Sequence, residues 1–175
     1  IGAVAVDPAD SNRIYVGAMG KAFTTDPNRG FYRSLDGGAT WTRTLFVNDS
    51  TGVSDIAINP AHPDTLYCAT WERVRRLKYR RAFGADCAVW RSADGGGTWA
   101  KVINGLPVAG EDMGRIAIAV APSLPSRIYA SCTTGAISGY IGQGLFRSDD
   151  AGQSWQRVDL GSVHRNAFGG FSWYF

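Results

Sequence analysis

One eight-residue pattern occurs three times in this chain: SLDGGATW at 34–41, SADGGGTW at 92–99 and SDDAGQSW at 148–155. Its shared form is Ser-x-Asp-x-Gly-x-Thr/Ser-Trp. The members are Ser34, Asp36, Gly38, Thr40 and Trp41, then Ser92, Asp94, Gly96, Thr98 and Trp99, then Ser148, Asp150, Gly152, Ser154 and Trp155. A unit recurring every 50 to 60 residues limits the fold more than any composition does. Each copy is one small structural piece that buries its apolar surface only against its neighbours.

The copies align well beyond the pattern. AVAVDPADSNRIYVGA opens the first unit, DIAINPAHPDTLYCAT the second and AIAVAPSLPSRIYASC the third. Pro8, Pro60 and Pro122 mark a common turn, and Tyr15, Tyr67 and Tyr129 follow seven residues later. GFYRS, AVWRS and GLFRS lead into the three loops, and TRTLFV, AKVI and QRVDL leave them. Alternating apolar residues, β-branched and aromatic side chains, and Gly, Pro, Asn and Asp between them predict four short strands per unit, A to D. No segment has a helical period. The expected fold is all-β: a β-propeller segment of three four-stranded blades at about 1–48, 53–104 and 113–160, with 168–175 as the first strand of a fourth. Three blades do not close a ring, so the chain is expected to be part of a larger propeller, with its open edges covered by further blades or partner subunits. Both ends read as strand, which fits a piece of a longer chain.

The repeated loop reads as a folding device. A tight turn between strands C and D leaves backbone N–H groups without ladder partners, which Asp and Ser side chains satisfy. Gly takes the positive-φ position. Trp41, Trp99 and Trp155 are expected between sheets. Small residues in strand A (Ala3, Ala5, Ala57, Ala117, Ala119) fit an innermost strand crowded around an axis.

The Ser-x-Asp-x-Gly-x-Thr-Trp pattern resembles the Asp-box, or BNR repeat, of sialidases, sortilin-type (VPS10) domains and family 74 glycoside hydrolases. LYCATWERVRR, GLPVAGEDMGRIAIAVAP and RIYVGAMGKAF are similar to segments of large secreted bacterial propeller proteins. The resemblance covers nearly the whole chain. It implies an extracytoplasmic location (periplasmic, secreted or cell-surface) and a structural role for the Asp-box away from any active site. Family 74 enzymes use two Asp on loops of different domains. The matching loop here, GAMGKAF, has Lys21 and no Asp before Asp26. A sialidase needs an arginine triad and a Tyr/Glu pair, more than three blades display.

Several classes fall away on composition. No apolar run approaches 18 residues, so no membrane span is expected. Cys68, Cys87 and Cys132 lack metal-ligand spacing and only two His are present, so no metal site is expected. Buried thiols are the first reading of the cysteines and one disulfide the second. No catalytic triad, phosphate loop or cofactor motif is visible, so no cofactor is expected.

Propeller topology puts the A–B and C–D turns on one face and the B–C and D–A loops on the other. The B–C loops are the long ones, at roughly 17–30, 71–87 and 133–144, and long loops on a rigid scaffold are where binding concentrates. The second is longest: Tyr67 to Ser92 is 25 residues, against 19 in the other two units. It holds Arg73, Arg75, Arg76, Lys78, Arg80 and Arg81 against Glu72 and Asp86, a local charge of +4 in a chain of net +3. Trp71, Tyr79 and Phe83 lie among the charges. Trp71, Arg73, Arg75, Arg76, Tyr79 and Arg81 are therefore the ligand-binding candidates, as an anion clamp or a platform for stacked sugars. Equally, the loop pairs with carboxylates on other blades or is solvated. No wider basic surface surrounds it, so no nucleic-acid partner is expected. Asp55 takes the place of Ala3 and Ala117 in strand A, where a carboxylate either binds or catalyses near the axis or caps the D–A loop. Glu72, Glu111 and Asp112 are further carboxylates on this face. The function expected is a non-catalytic protein- or glycan-binding scaffold, with a fragment of a glycoside hydrolase as the alternative.

Overall fold

The computed structural model of the chain describes residues 1–76, 78–107, 113–134 and 144–161. All regular elements among them are strands. The first sheet runs β1 (Ala3–Val6), β2 (Ile14–Ala18), β3 (Gly30–Ser34), β4 (Thr42–Leu45) in that order, antiparallel throughout. The second contains β5 (Thr51–Ile58), β6 (Leu66–Glu72), β9 (Ala88–Ser92) and β10 (Ala100–Lys101). The third contains β11 (Met113–Val120), β12 (Ile128–Thr134), β13 (Gly144–Ser148) and β14 (Gln156–Arg157). A separate two-stranded ribbon, β7 (Val74–Arg76) with β8 (Tyr79–Arg81), lies between β6 and β9. The sequence reading treated that stretch as loop, although Val-Arg-Arg and Tyr-Arg-Arg pair across a short turn. The fourth strands begin just after Trp41, Trp99 and Trp155. The expected strand at 168–175, most of the third long loop, and Glu111 and Asp112 lie outside the described residues.

The sheets stack face to face, first on second on third. Alternation along each strand gives every sheet two different apolar faces. Tyr15, Phe31 and Leu45 of the first sheet meet Val53, Leu66 and Cys68 of the second, with Trp90 and Trp99 packed against them. On the other side of the second sheet, Tyr67, Ala69, Trp71 and Val89 meet Ile128, Ala130, Cys132, Phe146 and Trp155 of the third. Burial of both faces explains why all seven residues of β6 are buried. Each large apolar side chain so enclosed contributes roughly 1.5–3 kcal/mol. The sheets approach closely at Gly17, where an added Cβ would lie 2.8 Å from the Val53 carbonyl oxygen.

The repeated loop makes the same bonds in all three copies. Ser34 Oγ donates to Asp36 Oδ1 at 2.7 Å and accepts from Gly38 N at 2.8 Å. Asp36 then accepts from Thr40 N and Thr40 Oγ1 at 2.8 and 2.5 Å. Asp94 and Asp150 are held in the same way by Ser92 and Thr98 and by Ser148 and Ser154. The loop also joins sheets. Arg33 of the first sheet donates to the Gly95 carbonyl at 3.1 Å, and Arg91 and Tyr67 of the second donate to the Ala151 carbonyl at 3.1 and 2.8 Å. The pattern Gly therefore has two jobs. At Gly152 φ is +84°, and its Cα lies where a Cβ would be 2.8 Å from the Tyr67 ring. Ala151 just before it also adopts a left-handed φ, 57°, without being Gly.

Trp155 is buried and Trp99 lies edge-on to Phe31 at a centroid distance of 4.5 Å, both between sheets. Trp41 departs from the expectation and is 43% exposed, because no described sheet covers the outer face of the first. That face carries Val4, Val6, Val16, Tyr32 and Trp41, which match Ile56, Ile58, Cys68, Trp90 and Trp99 of the second sheet by register. It holds an open groove of about 650 Å³. Ala117 and Ala119 are likewise exposed. The cysteines are free and buried, which settles the first reading over the disulfide.

Two outcomes follow from these loops. Gly152→Ala should destabilise by about 1–3 kcal/mol through the Tyr67 collision and the positive φ, whereas Ala151→Gly should be neutral or stabilising by up to about 1 kcal/mol; denaturant melts of the two variants read the contrast. The hydrogen bonds of Thr40 to Asp36 and of Ser154 to Asp150 hold those carboxyls down at about 2, and the Thr98 N–H and its neighbours hold Asp94 lower still. Their stabilisation is complete above the ordinary carboxyl pKa of about 4 and is lost as pH falls toward 2. Thermal midpoints should therefore fall steeply across that interval, and Asp94→Asn should flatten the fall.

Candidate functional site

The long-loop face is assembled by backbone bonds between loops. Arg75 N donates to the Ala22 carbonyl at 3.1 Å and Arg73 N to the Ser50 carbonyl at 3.0 Å, so β7 lies across the first B–C loop and the chain entering β5. The first loop is organised by Asp26, a buried carboxylate accepting from Lys21 N, Asn28 N and Asn28 Nδ2. These bonds, the Asn28 N–H foremost, hold its pKa down.

Trp71 stands at the base of the second loop. It belongs to β6, not to the loop, and is 4% exposed, with Nε1 donating to the Ala82 carbonyl at 2.7 Å. It is therefore an internal anchor and offers no open ring to a sugar. The guanidinium groups of Arg73 and Arg115 lie 5.0 and 5.8 Å from its ring centroid. This is a cation–π arrangement, favourable in a partly dry site. Burial, then Arg75 and Arg115, lower the pKa of Arg73. No carboxylate forms an ion pair with Arg73 or Arg115 among the described residues.

The other candidates divide. Arg81 pairs with Glu72 at 2.7 Å, closing the ribbon onto β6. Glu72 is buried against Gly84 with its Oε2 unpartnered, and burial raises its pKa against the pull of Arg81. Arg76 is exposed opposite Tyr79 at the ribbon tip. Asp86 accepts from Asn48 Nδ2 at 2.7 Å.

Two residues of this face escaped the sequence reading. Arg115 is the third residue of β11, in MGRIAIAV, a context that reads as plain strand. Arg29, in DPNRG, is fully buried; its Nη2 donates to the Lys21 and Thr24 carbonyls at 2.9 and 3.1 Å, while Nε and Nη1 have no partner. Burial lowers its pKa first and Arg73 adds to this, against the opposing pull of Asp26 and Asp49. Only the loop fold brings Arg29 toward Arg73, so no local motif announced it.

Asp55 has a different role from either expected one. It follows a register shift in β5, and Oδ1 accepts from Ile56 N at 2.9 Å while Oδ2 accepts from Ile118 N at 2.8 Å. It ties the innermost strands of two sheets together by satisfying an N–H on β11. No group of three or more potential metal ligands occurs among the described residues.

No model of a known protein family matches the chain. It is homologous to xyloglucanases. A probable oligoxyloglucan-reducing end-specific xyloglucanase of Neosartorya fischeri is 27% identical over 163 residues, 89% of this chain and 17% of that protein. A xyloglucanase of Hypocrea jecorina is 31% identical over 157 residues, 90% of this chain and 15% of that protein. The chain thus spans about a sixth of the length of the curated relatives it matches. Among solved structures, an ancestral GH74 enzyme superposes with a TM-score of 0.65 at 20% identity, over 93% of this chain and 19% of its own. The fold is a run of β-propeller blades.

The role of Asp55 gives a direct check. Asp55→Ala leaves the Ile118 N–H unpaired between sheets and should cost about 1–3 kcal/mol in denaturant melts. An unchanged midpoint would remove Asp55 from the inter-sheet contact.

Proposed function

We propose that this chain is a run of three blades from a larger propeller glycoside hydrolase of the family 74 type, acting outside the cytoplasm on a xyloglucan-class polysaccharide, with the saccharide on the B–C/D–A loop face. The observation that carries this reading is sequence likeness to xyloglucanases along nine-tenths of the chain. The blades fall at about 1–48, 53–104 and 113–160, with the next beginning near 168, and the three repeated loops act as Asp-boxes. A polymer of this kind lies outside cells, which favours an extracytoplasmic protein.

The remainder of the protein then has two tasks. It covers the bare face of the first sheet, whose residues match the packed face of the second by register. It also supplies carboxylates, since glycoside hydrolysis uses two across a cleft. A second reading, a non-catalytic glycan- or protein-binding scaffold, is favoured by one observation: both oxygens of Asp55 accept from backbone N–H groups.

Incubating the full-length protein with tamarind-type xyloglucan and with a panel of other glycans distinguishes the two. Reducing ends released from xyloglucan above all others support the hydrolase. Binding of xyloglucan without release supports the scaffold, and neither binding nor release overturns both saccharide readings.

A further inference from the structure

We propose that the outer face of the first sheet is the seat of a further propeller sheet of the same polypeptide, which lays an aromatic ring on Gly38 and brings an arginine to the Gly37 carbonyl. This rests on the reading of the chain as part of a larger propeller and names the chemistry of the contact that completes it.

The two junctions between described sheets share one contact, and it has a direction. One sheet gives an aromatic ring and an arginine; the repeated loop of the next gives a carbonyl and a glycine. At the first junction Arg33 donates to the Gly95 carbonyl, and Gly96 lies under Phe31, where an added Cβ would be 3.1 Å from the ring. At the second, Arg91 donates to the Ala151 carbonyl and Gly152 lies under Tyr67. Arg33 and Arg91 hold one register position, each opposite the tyrosine of the adjoining strand. The guanidinium bond is charge-assisted, and the ring buries a flat area against backbone.

The loop of the first sheet is built in the same form. Ser34, Asp36 and Thr40 make the bonds of the other two copies. Trp41 Nε1 donates to the Gly38 carbonyl at 3.0 Å, as Trp155 Nε1 does to the Gly152 carbonyl at 3.2 Å. The surroundings differ. Gly95, Gly96 and Gly152 are buried, whereas Gly37 is exposed and Gly38 half-buried. A Cβ on Gly38 would meet only Trp41 and Ile14 of its own unit among the described residues, at 3.6 and 3.8 Å. Local bonds thus set the docking shape of this loop before anything docks.

Continuity selects the occupant. Val4, Val6, Val16, Tyr32 and Trp41 repeat, in register, the residues by which the second sheet packs on the first. The face that donates differs from the face that accepts, so the contact runs head to tail and each junction calls for another until a ring closes. The chain spans about a sixth of the curated relatives' length, so proteins of that kind hold ample further chain. Aliphatic Val4, Val6 and Val16 beside Trp41 suit a second apolar sheet better than a sugar, which needs hydrogen-bond partners.

The test uses the full-length protein with p-benzoylphenylalanine in place of Trp41, irradiated and read by mass spectrometry, beside hydroxyl-radical footprinting of the wild type. Trp99 touches Phe31, on the strand that carries Arg33. The cross-link should therefore form within one polypeptide, on a strand ending in an aromatic residue and an arginine, as GFYRS and AVWRS do. In the footprint Trp41 should be oxidised as slowly as Trp99. Gly38→Ala should lower the thermal midpoint as far as Gly152→Ala, since φ is +94° and +84° at the two and only a docked ring makes the collisions alike. If Gly38→Ala does not fold, the cross-link and the footprint decide. A cross-linked peptide without arginine, Trp41 oxidised markedly faster than Trp99, or a Gly38→Ala loss well short of that of Gly152→Ala would each overturn the proposal. So would a cross-link between two molecules on the strand holding Arg147, which makes a second copy the occupant, and protection of Trp41 only on adding a xyloglucan oligosaccharide, which makes the face a ligand site. Reducing-end release from xyloglucan is read on the same preparation. Release with an uncovered Trp41 overturns the docking alone, and a covered Trp41 with neither saccharide binding nor release overturns the saccharide reading alone.

Discussion

The structure depends on sheets that are apolar on both faces. A strand repeats every second residue, so Tyr67, Ala69 and Trp71 look one way and Leu66, Cys68 and Thr70 the other. Such a sheet is stable only between two others, and the middle sheet here has that arrangement. The repeated Ser-Asp loop serves the same constraint. It folds its own turn through Asp and Ser, then offers a carbonyl and a flat glycine surface to the Tyr and Arg of the preceding sheet. The motif is repeated because the docking is repeated, and the first sheet, with no described neighbour on its outer side, leaves Trp41 half exposed.

Stacking also sets the long-loop face. The second sheet carries an extra ribbon, held by backbone bonds to the loop of the first sheet and by Trp71 to its own base. Cations are thereby brought together that lie more than 40 residues apart in the chain, from Arg29 through Arg73 to Arg115. Arginine suits that position because its guanidinium is weakly hydrated and packs on an indole face, where an ammonium would hold its water.

Much of the architecture was legible because it is periodic. Three loops of one pattern, prolines at one spacing and alternating apolar runs specify four-stranded units before any contact is known. The misreadings have one cause. The basic residues after Trp71 give that stretch the look of a loop, but tertiary packing continues β6 through Trp71 and buries the ring. The VRR and YRR stretches pair with each other in a ribbon instead of remaining open loop. Asp55 looked available to a ligand, yet an N–H on a strand more than 60 residues away claims it. Arg115 and Arg29 lacked any local signal, since one lies within an ordinary strand and the other follows an ordinary turn.

The sequence by itself determined the strands, the turns between them and the three-unit repeat, because each depends on side chains a few residues apart or on simple alternation. Only the tertiary structure decided which Trp is covered, where Asp55 spends its oxygens and which arginines share a surface. Those depend on how one sheet meets the next, and contacts between distant segments leave no spacing in the chain by which to recognise them.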